Sequence, residues 1–139
     1  MSVYLDTNIL VALLIRDALS ERAEAFLREA KPIIVVSDFA ATEFAAVIGR
    51  RFRDRAVTAD AAQLAFLNFD AWAAGRQRVS TTSADVETAG TFVRRLDLSL
   101  RAPDALHLAI AGRIGAILGT FDTKMAVCAR ALGLDVAGV

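Results

Sequence analysis

The stretch IIVV, residues 33–36, is an unbroken β-branched run typical of a strand that is buried on both faces of a parallel sheet. Lys31 and Pro32 stand directly before it and end the amphipathic helix predicted upstream. Ser37 or Asp38 follows as a candidate N-cap for a helix that runs to about Arg51. A helix, a buried strand and another helix in this order predict a parallel α/β sheet.

The same alternation extends outward in both directions along the chain. We predict further strands at Val3–Leu5, Arg78–Ser80, Ala116–Gly119 and Asp135–Val136, and helices at Asn8–Ile15, Thr58–Ala74, Ala84–Leu96, Pro103–Gly112 and Lys124–Leu132. Ser20 is predicted to be the N-cap of another helix, which extends to Ala30. Right-handed crossovers then place the sheet between two helical layers. No linker, repeat or low-complexity segment interrupts the pattern, so residues 1–139 are expected to form a single domain.

Composition narrows the class of protein. The chain is 55% hydrophobic, but its longest strong apolar stretch, Ile9–Ile15, is far shorter than the roughly 20 residues that span a bilayer. We therefore expect no membrane segment. The single cysteine excludes a disulfide framework, and together with the absence of a signal-peptide pattern it favours the cytoplasm. The net charge is zero, so any nucleic-acid binding must use local basic patches.

Four acidic residues stand where carboxylates are costly. Asp6 and Asp122 follow the apolar strands predicted near residues 3–5 and 116–119. Glu43 lies in the middle of an apolar helical stripe, and nothing one turn away offers it a cation. Asp104 faces Leu108 in an almost wholly apolar helix. A buried carboxylate without a partner costs several kcal/mol or becomes protonated.

For three of these acids, taken singly, helix capping is an alternative explanation. Asp6, Asp104 and Asp122 lie near predicted helix N-termini, where a carboxylate stabilises the helix by about 0.5–2 kcal/mol. Glu43 is too far inside its helix for this role. In a parallel sheet the strand ends and helix starts can share one pocket, and ligands bind there. Four acids in one pocket predict a site for a hard divalent cation, Mg²⁺ or Mn²⁺, and a metal-dependent phosphodiesterase.

These segments resemble the PIN-domain family, and most of all the VapC-type toxins of toxin–antitoxin pairs. The likeness rests on four motifs in the family's order along the whole chain: Asp6-Thr7-Asn8, Glu43 within its helix, PDALHLA at residues 103–109, and Thr120-Phe121-Asp122. The resemblance implies a three-layer α/β/α sandwich around a parallel sheet. It also implies a Mg²⁺- or Mn²⁺-dependent endoribonuclease that hydrolyses RNA with metal-activated water.

The resemblance also implies roles for individual residues. Asp6, Glu43, Asp104 and Asp122 would be the catalytic metal-site acids, supported through hydrogen bonds by Thr7, Asn8 and Thr120. The expected partners are an RNA substrate, a cognate antitoxin and a second copy of the chain in a homodimer. Many members of the family have another acid directly after the position of Asp122, where this chain has Thr123 and Lys124. One metal ion and two therefore both remain open.

Other functions compete with the nuclease. A phosphatase of the haloacid-dehalogenase type needs a second aspartate two residues after the first, where Asn8 stands, and a receiver domain needs a lysine in another place than Lys124. A PIN module without activity that binds RNA or protein would have no need of Glu43 on an apolar face. His107, the only histidine, is expected to be a structural residue with local hydrogen bonds rather than a general base.

The densest basic run ends the helix that carries Glu43. It spans Arg50–Arg55, and Arg94, Arg95 and Arg101 form a second basic region. Contact with RNA phosphates, contact with an acidic antitoxin segment and simple solvation at a helix terminus all account for these arginines. The substrate-binding residues are therefore left unassigned.

Overall fold

The computed structural model describes residues 1–139 and contains five strands and seven helices. The strands are β1 (Ser2–Leu5), β2 (Ile33–Ser37), β3 (Gln77–Val79), β4 (Ile117–Gly119) and β5 (Val136–Ala137). The helices are α1 (Thr7–Leu14), α2 (Ser20–Ala30), α3 (Asp38–Arg53), α4 (Ala59–Ala74), α5 (Ser83–Val93), α6 (Ala102–Ile114) and α7 (Thr123–Ala131). None of these helices is long and apolar enough to cross a bilayer.

The strands form one parallel sheet in the order β3-β2-β1-β4-β5. The chain builds outward from β1 to β3 in one direction, then returns to the other side of β1 for β4 and β5. The strand order therefore reverses between β1 and β4, which is where ligands bind in open α/β sheets. Leu5 pairs with Gly119 at the carboxyl end of this strand pair. A Cβ at position 119 would lie 2.9 Å from Leu5 Cδ2, so only glycine allows this close pairing.

Alternate side chains of β1 enter different hydrophobic cores. Val3 and Leu5 pack with Phe44 of α3 on the face that α1–α4 cover, whereas Tyr4 packs with Leu108 of α6 and Met125 of α7 on the opposite face. The sheet is therefore sandwiched between two helical layers. This arrangement confirms the predicted three-layer α/β/α fold.

Local capping chemistry sets most of the helix starts. The Ser37 hydroxyl accepts a hydrogen bond from Ala40 N–H at the start of α3, and Thr58 does the same for Ala61 at the start of α4. Six predicted helix starts differ by one residue from the observed ones, which are Thr7, Ser20, Ala59, Ser83, Ala102 and Thr123. Ser20 is the first residue of α2 rather than its N-cap, because its hydroxyl bonds to Asp17 and Ile15 outside the helix. Pro103 is the second residue of α6, after Ala102.

The largest boundary difference is at the end of α5. The apolar periodicity predicts a helix to Leu96, but α5 ends at Val93 and the chain turns at Arg94–Leu98. Arg95 and Asp97 form an exposed ion pair within this turn, and Leu96 is 95% exposed. Helices in proteins are stabilised mainly by packing of their apolar face, and Leu96 contributes no such packing.

Candidate active site

One pocket of about 220 Å³ contains all four predicted acids. It opens at the carboxyl ends of β1 and β4, and the acids enter it from four places in the chain: the start of α1, the middle of α3, the first turn of α6 and the start of α7. Its lining residues are Asp6, Thr7, Asn8, Glu43, Arg101, Pro103, Asp104, His107, Asp122 and Met125. The structure thus brings together residues that are up to 116 positions apart in the sequence.

Asp6 is the most deeply buried of the four acids, with 3% of its surface exposed. Its carboxylate accepts hydrogen bonds from Ile9 N–H, at 3.0 Å, and from the Thr120 hydroxyl. No lysine or arginine pairs with it. Burial raises the pKa of the Asp6 carboxyl above its ordinary value, because the two neutral donors only partly offset the loss of water.

Glu43 approaches the pocket from the middle of α3, and its partners come from other helices. Its Oε1 atom accepts a hydrogen bond from Thr7 Oγ1 at 2.8 Å and is also bonded to Nε2 of His107. Burial raises the pKa of Glu43, but the bonds from His107 and Thr7 outweigh this and hold its pKa below the ordinary value. The carboxylate is therefore kept ionised at the pocket.

Asp104 and Asp122 are less deeply buried than Asp6. Asp104, in the first turn of α6, forms a 3.5 Å ion pair with Arg101, whose side chain is 83% exposed. Asp122 caps α7 and accepts hydrogen bonds from Lys124 N–H at 2.9 Å and Met125 N–H at 3.1 Å. The predicted capping role of Asp122 is thus real, and the same carboxylate also lines the pocket.

Two of the three predicted supporting residues hold an acid directly. Thr7 donates to Glu43, and Thr120 donates to Asp6 while accepting from Asp122 N–H at 3.0 Å. Thr120 is fully buried and so links the acids that follow β1 and β4. Asn8 also lines the pocket, but its side chain is exposed and forms no hydrogen bond with the protein.

The donor set fits a hard divalent cation, although its side chains are not yet gathered as ligands. No group of three or more carboxylate, histidine or cysteine side chains stands in metal-binding geometry. Each acid is instead held by protein donors, as Asp104 is by Arg101. Four carboxylates around one pocket, with the deepest lacking a positive partner, supply the oxygen ligands that Mg²⁺ and Mn²⁺ prefer.

His107 has partners that the sequence pattern does not predict. It was expected to form local hydrogen bonds, but it joins α6 to β1 through Tyr4 and to α3 through Glu43. These partners are 103 and 64 positions away, so no local pattern reveals them. The one available signal was its place one turn after Asp104 as the only histidine of the chain.

Arg101 is the one arginine that lines the acidic pocket, and the other basic side chains near it lie in two neighbouring grooves. Arg50 and Arg51 line a neighbouring groove that shares Asn8 and Asp122 with the acidic pocket. Arg101 and Lys124 line a groove on the other side, together with the exposed Leu96. Acidic residues also line both grooves, so neither is a purely basic track.

Comparison with known proteins gives one family and a consistent set of folds. The PIN domain family model matches residues 3–131. No curated protein sequence matches the chain. Among solved structures, the chain is similar to the Mycobacterium tuberculosis toxin VapC20, described as cleaving the sarcin-ricin loop, with 21% identity, a TM-score of 0.74, and 99% of this chain and 98% of that one covered.

Two further structures share the fold. VapBC2 from Rickettsia felis, bound to a DNA fragment from its promoter, has 16% identity and a TM-score of 0.75 over 99% of this chain and 98% of that one. FitAcB from Neisseria gonorrhoeae has 16% identity and a TM-score of 0.74 over 96% and 95%. At these identities the structures establish a common fold.

Proposed function

We propose, on the premise that this chain belongs to the PIN-domain family, that it is a divalent-metal-dependent endoribonuclease of the VapC type. The observation that carries the proposal is the convergence of Asp6, Glu43, Asp104 and Asp122 on one pocket at the switch point of the sheet. A capping role for each acid alone would not require them to share a pocket, and Glu43 caps no helix.

The four acids would hold Mg²⁺ or Mn²⁺. When bound, such an ion lowers the pKa of water to give a nucleophile and stabilises the charge that develops on phosphate oxygens. Asp6 would supply the deepest ligand, because its burial leaves it with the greatest need of a cation. Asp104 and Asp122 would supply ligands nearer solvent, where the RNA backbone enters.

The surrounding side chains keep the acids in place during hydrolysis. Thr120 holds Asp6, and Thr7 holds Glu43, so that neither carboxylate must be ordered when substrate binds. Hydrolysis by water leaves a 5′-phosphate and a 3′-hydroxyl and needs no 2′-hydroxyl attack. Preference for RNA would then come from shape and contacts rather than from the reaction itself.

The fold also supports a partner. Another structure with this fold, from Klebsiella pneumoniae, is described as a toxin–antitoxin complex, and VapBC2 was solved bound to promoter DNA. We accordingly propose that residues 1–139 form one PIN-like domain that acts as a toxin, is held in check by a cognate antitoxin and forms a homodimer.

The direct test is metal-dependent cleavage of total cellular RNA by the purified protein. We expect cleavage with Mg²⁺ or Mn²⁺, none with EDTA, and none by the Asp104→Asn variant, which keeps the shape of the side chain but not its charge. Identical RNA profiles from wild type and variant would contradict the nuclease. Turnover of small phosphate esters would favour a phosphatase, and RNA binding without cleavage would favour an inactive module.

A further inference from the structure

A buried chain of hydrogen bonds runs behind the acidic pocket. Tyr4 Oη lies 2.8 Å from Ser37 Oγ and 2.6 Å from His107 Nδ1, and His107 Nε2 is bonded to Glu43 Oε1. Tyr4 and Ser37 are fully buried, and His107 is 3% exposed. The hydrogen bonds therefore join β1, the end of β2, α6 and α3, and only the Glu43 end of the series reaches solvent.

We assign the direction of the hydrogen bonds from the partners of Ser37 and Tyr4. Ser37 Oγ already accepts a hydrogen bond from Ala40 N–H, so its own proton is free to go to Tyr4 Oη. Burial raises the pKa of the Tyr4 hydroxyl well above its ordinary value, which keeps its proton in place for His107 Nδ1. With Nδ1 accepting, the ring carries its proton on Nε2 and donates it to Glu43. Every buried side-chain polar atom then has a partner.

We propose that His107, anchored by Tyr4, is a positioning residue that fixes the Glu43 carboxylate for metal binding, an inference that rests on the proposed metal-dependent function. The bonds from His107 Nε2 and Thr7 Oγ1 both reach Oε1 of Glu43. Oε2 accepts no hydrogen bond from the protein, which leaves this second oxygen for a cation in the pocket. Glu43 remains 29% exposed on that side.

The surroundings of the ring suit this role. Phe39 of α3 lies against the imidazole with ring centroids 4.9 Å apart, so the ring is restrained by packing as well as by its two nitrogen bonds. A carboxylate on a flexible glutamate side chain loses rotamer freedom when it binds a metal. Because the ring is fixed at both nitrogens, this loss of side-chain entropy would occur during folding, and Glu43 would already be oriented when the metal binds.

Paired variants of His107 separate positioning from simple filling of space. The amide of His107→Gln can place a donor near the position of Nε2, whereas the shorter His107→Asn can reach only the Nδ1 side. Loss of a partner behind a metal ligand typically costs about 10–100-fold in metal affinity. We expect Mn²⁺ affinity, measured by titration calorimetry, to fall at least about 10-fold in His107→Asn and to be largely retained in His107→Gln.

Two further variants guard against a folding artefact. Tyr4→Phe keeps the buried ring and removes only the hydroxyl that anchors His107, so we expect a smaller loss of Mn²⁺ affinity in a folded protein. Asp85→Asn alters a buried acid outside the pocket and is the control for lowered stability. If lowered stability alone weakened metal binding, Asp85→Asn would lose affinity as well.

A spectroscopic measurement tests the contact without any activity assay. Because His107 is the only histidine, ¹⁵N-histidine labelling gives signals from its two ring nitrogens alone. We expect a proton on Nε2 at neutral pH and a shift of that signal when Mg²⁺ is added. The Mg²⁺-dependent shift should be smaller in Tyr4→Phe.

The outcomes distinguish this inference from the function on which it rests. If wild type binds neither Mn²⁺ nor Mg²⁺, the proposed function and the positioning role both fail. If wild type binds Mn²⁺ and both His107 variants and Tyr4→Phe bind it equally well, the metal site stands and the positioning role is overturned. An Nε2 atom without a proton would also overturn it.

Discussion

Two buried aspartates in this protein have opposite surroundings. Asp85, 1% exposed, accepts hydrogen bonds from Arg113 Nε at 2.7 Å and Nη2 at 2.9 Å, and from Thr82 in a capping box. Asp6, 3% exposed, has only Ile9 N–H and the Thr120 hydroxyl as partners. The chain therefore supplies a cation to one buried acid and none to the other.

The pKa values of the two carboxyl groups follow this difference. Burial raises the pKa of both, but the bonds from Arg113 and Thr82 outweigh burial and leave the pKa of Asp85 below its ordinary value. At Asp6 burial prevails and the pKa is raised. Asp85 has a structural role, because its ion pair with Arg113 joins α5 to α6. Asp6 is an acid that folding leaves in need of a positive charge.

The largest expected effect is on catalysis. Asp6→Asn should reduce RNA cleavage at least about 100-fold, since loss of even an outer partner of a metal ligand costs 10–100-fold. Asp85→Asn should leave cleavage unchanged. The two proteins are compared in one assay on the same RNA with saturating Mg²⁺. An equal loss of RNA cleavage in both variants would contradict the assignment of a catalytic role to Asp6 and a structural role to Asp85.

Metal should stabilise the protein only through the pocket. A ligand at about 100 times its Kd stabilises the folded state by about 2.7 kcal/mol. Thermal unfolding should therefore move to higher temperature with Mn²⁺ in wild type and in Asp85→Asn, but not in Asp6→Asn. A similar shift in all three proteins would mean that the ion binds elsewhere.

Without metal, Asp85→Asn should lower the stability of the protein and Asp6→Asn should not. Asp85→Asn removes the charge from hydrogen bonds that contribute about 1–2 kcal/mol, so unfolding in urea should need less denaturant. Asp6→Asn removes a carboxylate that lacks a cation and should leave the midpoint unchanged or raise it. The measurement needs EDTA in every sample. A lower midpoint for Asp6→Asn than for Asp85→Asn would contradict this assignment.

The smallest effect is the pH dependence of these differences. A lowered folded-state pKa makes Asp85 stabilising above the unfolded-state pKa of about 3.9, and this contribution is lost as the pH falls through the folded-state value. The raised pKa of Asp6 has the reverse sign, so wild type gains stability from this group as the pH falls through its folded value. Between pH 7 and 3, both variants should therefore approach wild type, Asp85→Asn from below and Asp6→Asn from above. Urea midpoints in EDTA at a series of pH values would check this.

The sequence predicted the layers and the placement of the acids because both depend on short patterns. A β-branched run such as Ile33–Val36 identifies a buried parallel strand, and a polar residue directly after an apolar strand, such as Asp6, must lie at the carboxyl edge of the sheet. Boundaries were less certain where packing decides them, as at Leu96, which the periodicity included in α5 although nothing packs on it.

The contacts behind the pocket could not be predicted in this way. Tyr4 and His107 meet only because β1 and α6 lie together in the finished fold, and both have unremarkable local neighbours. The Asp85–Arg113 pair is similar, with 28 positions between its members. The spacing of Thr82 and Asp85 fits a capping box and was the one local sign that Asp85 has a structural role.

The most direct test of a cation site at the unpaired acids is a calorimetric titration of Mn²⁺ into wild type, Asp6→Asn and Asp85→Asn at one pH and ionic strength. We expect saturable binding by wild type and Asp85→Asn, and no such binding by Asp6→Asn. Equal binding by all three proteins, or none by wild type, would contradict the claim that the fold leaves Asp6 and its neighbours for a metal ion.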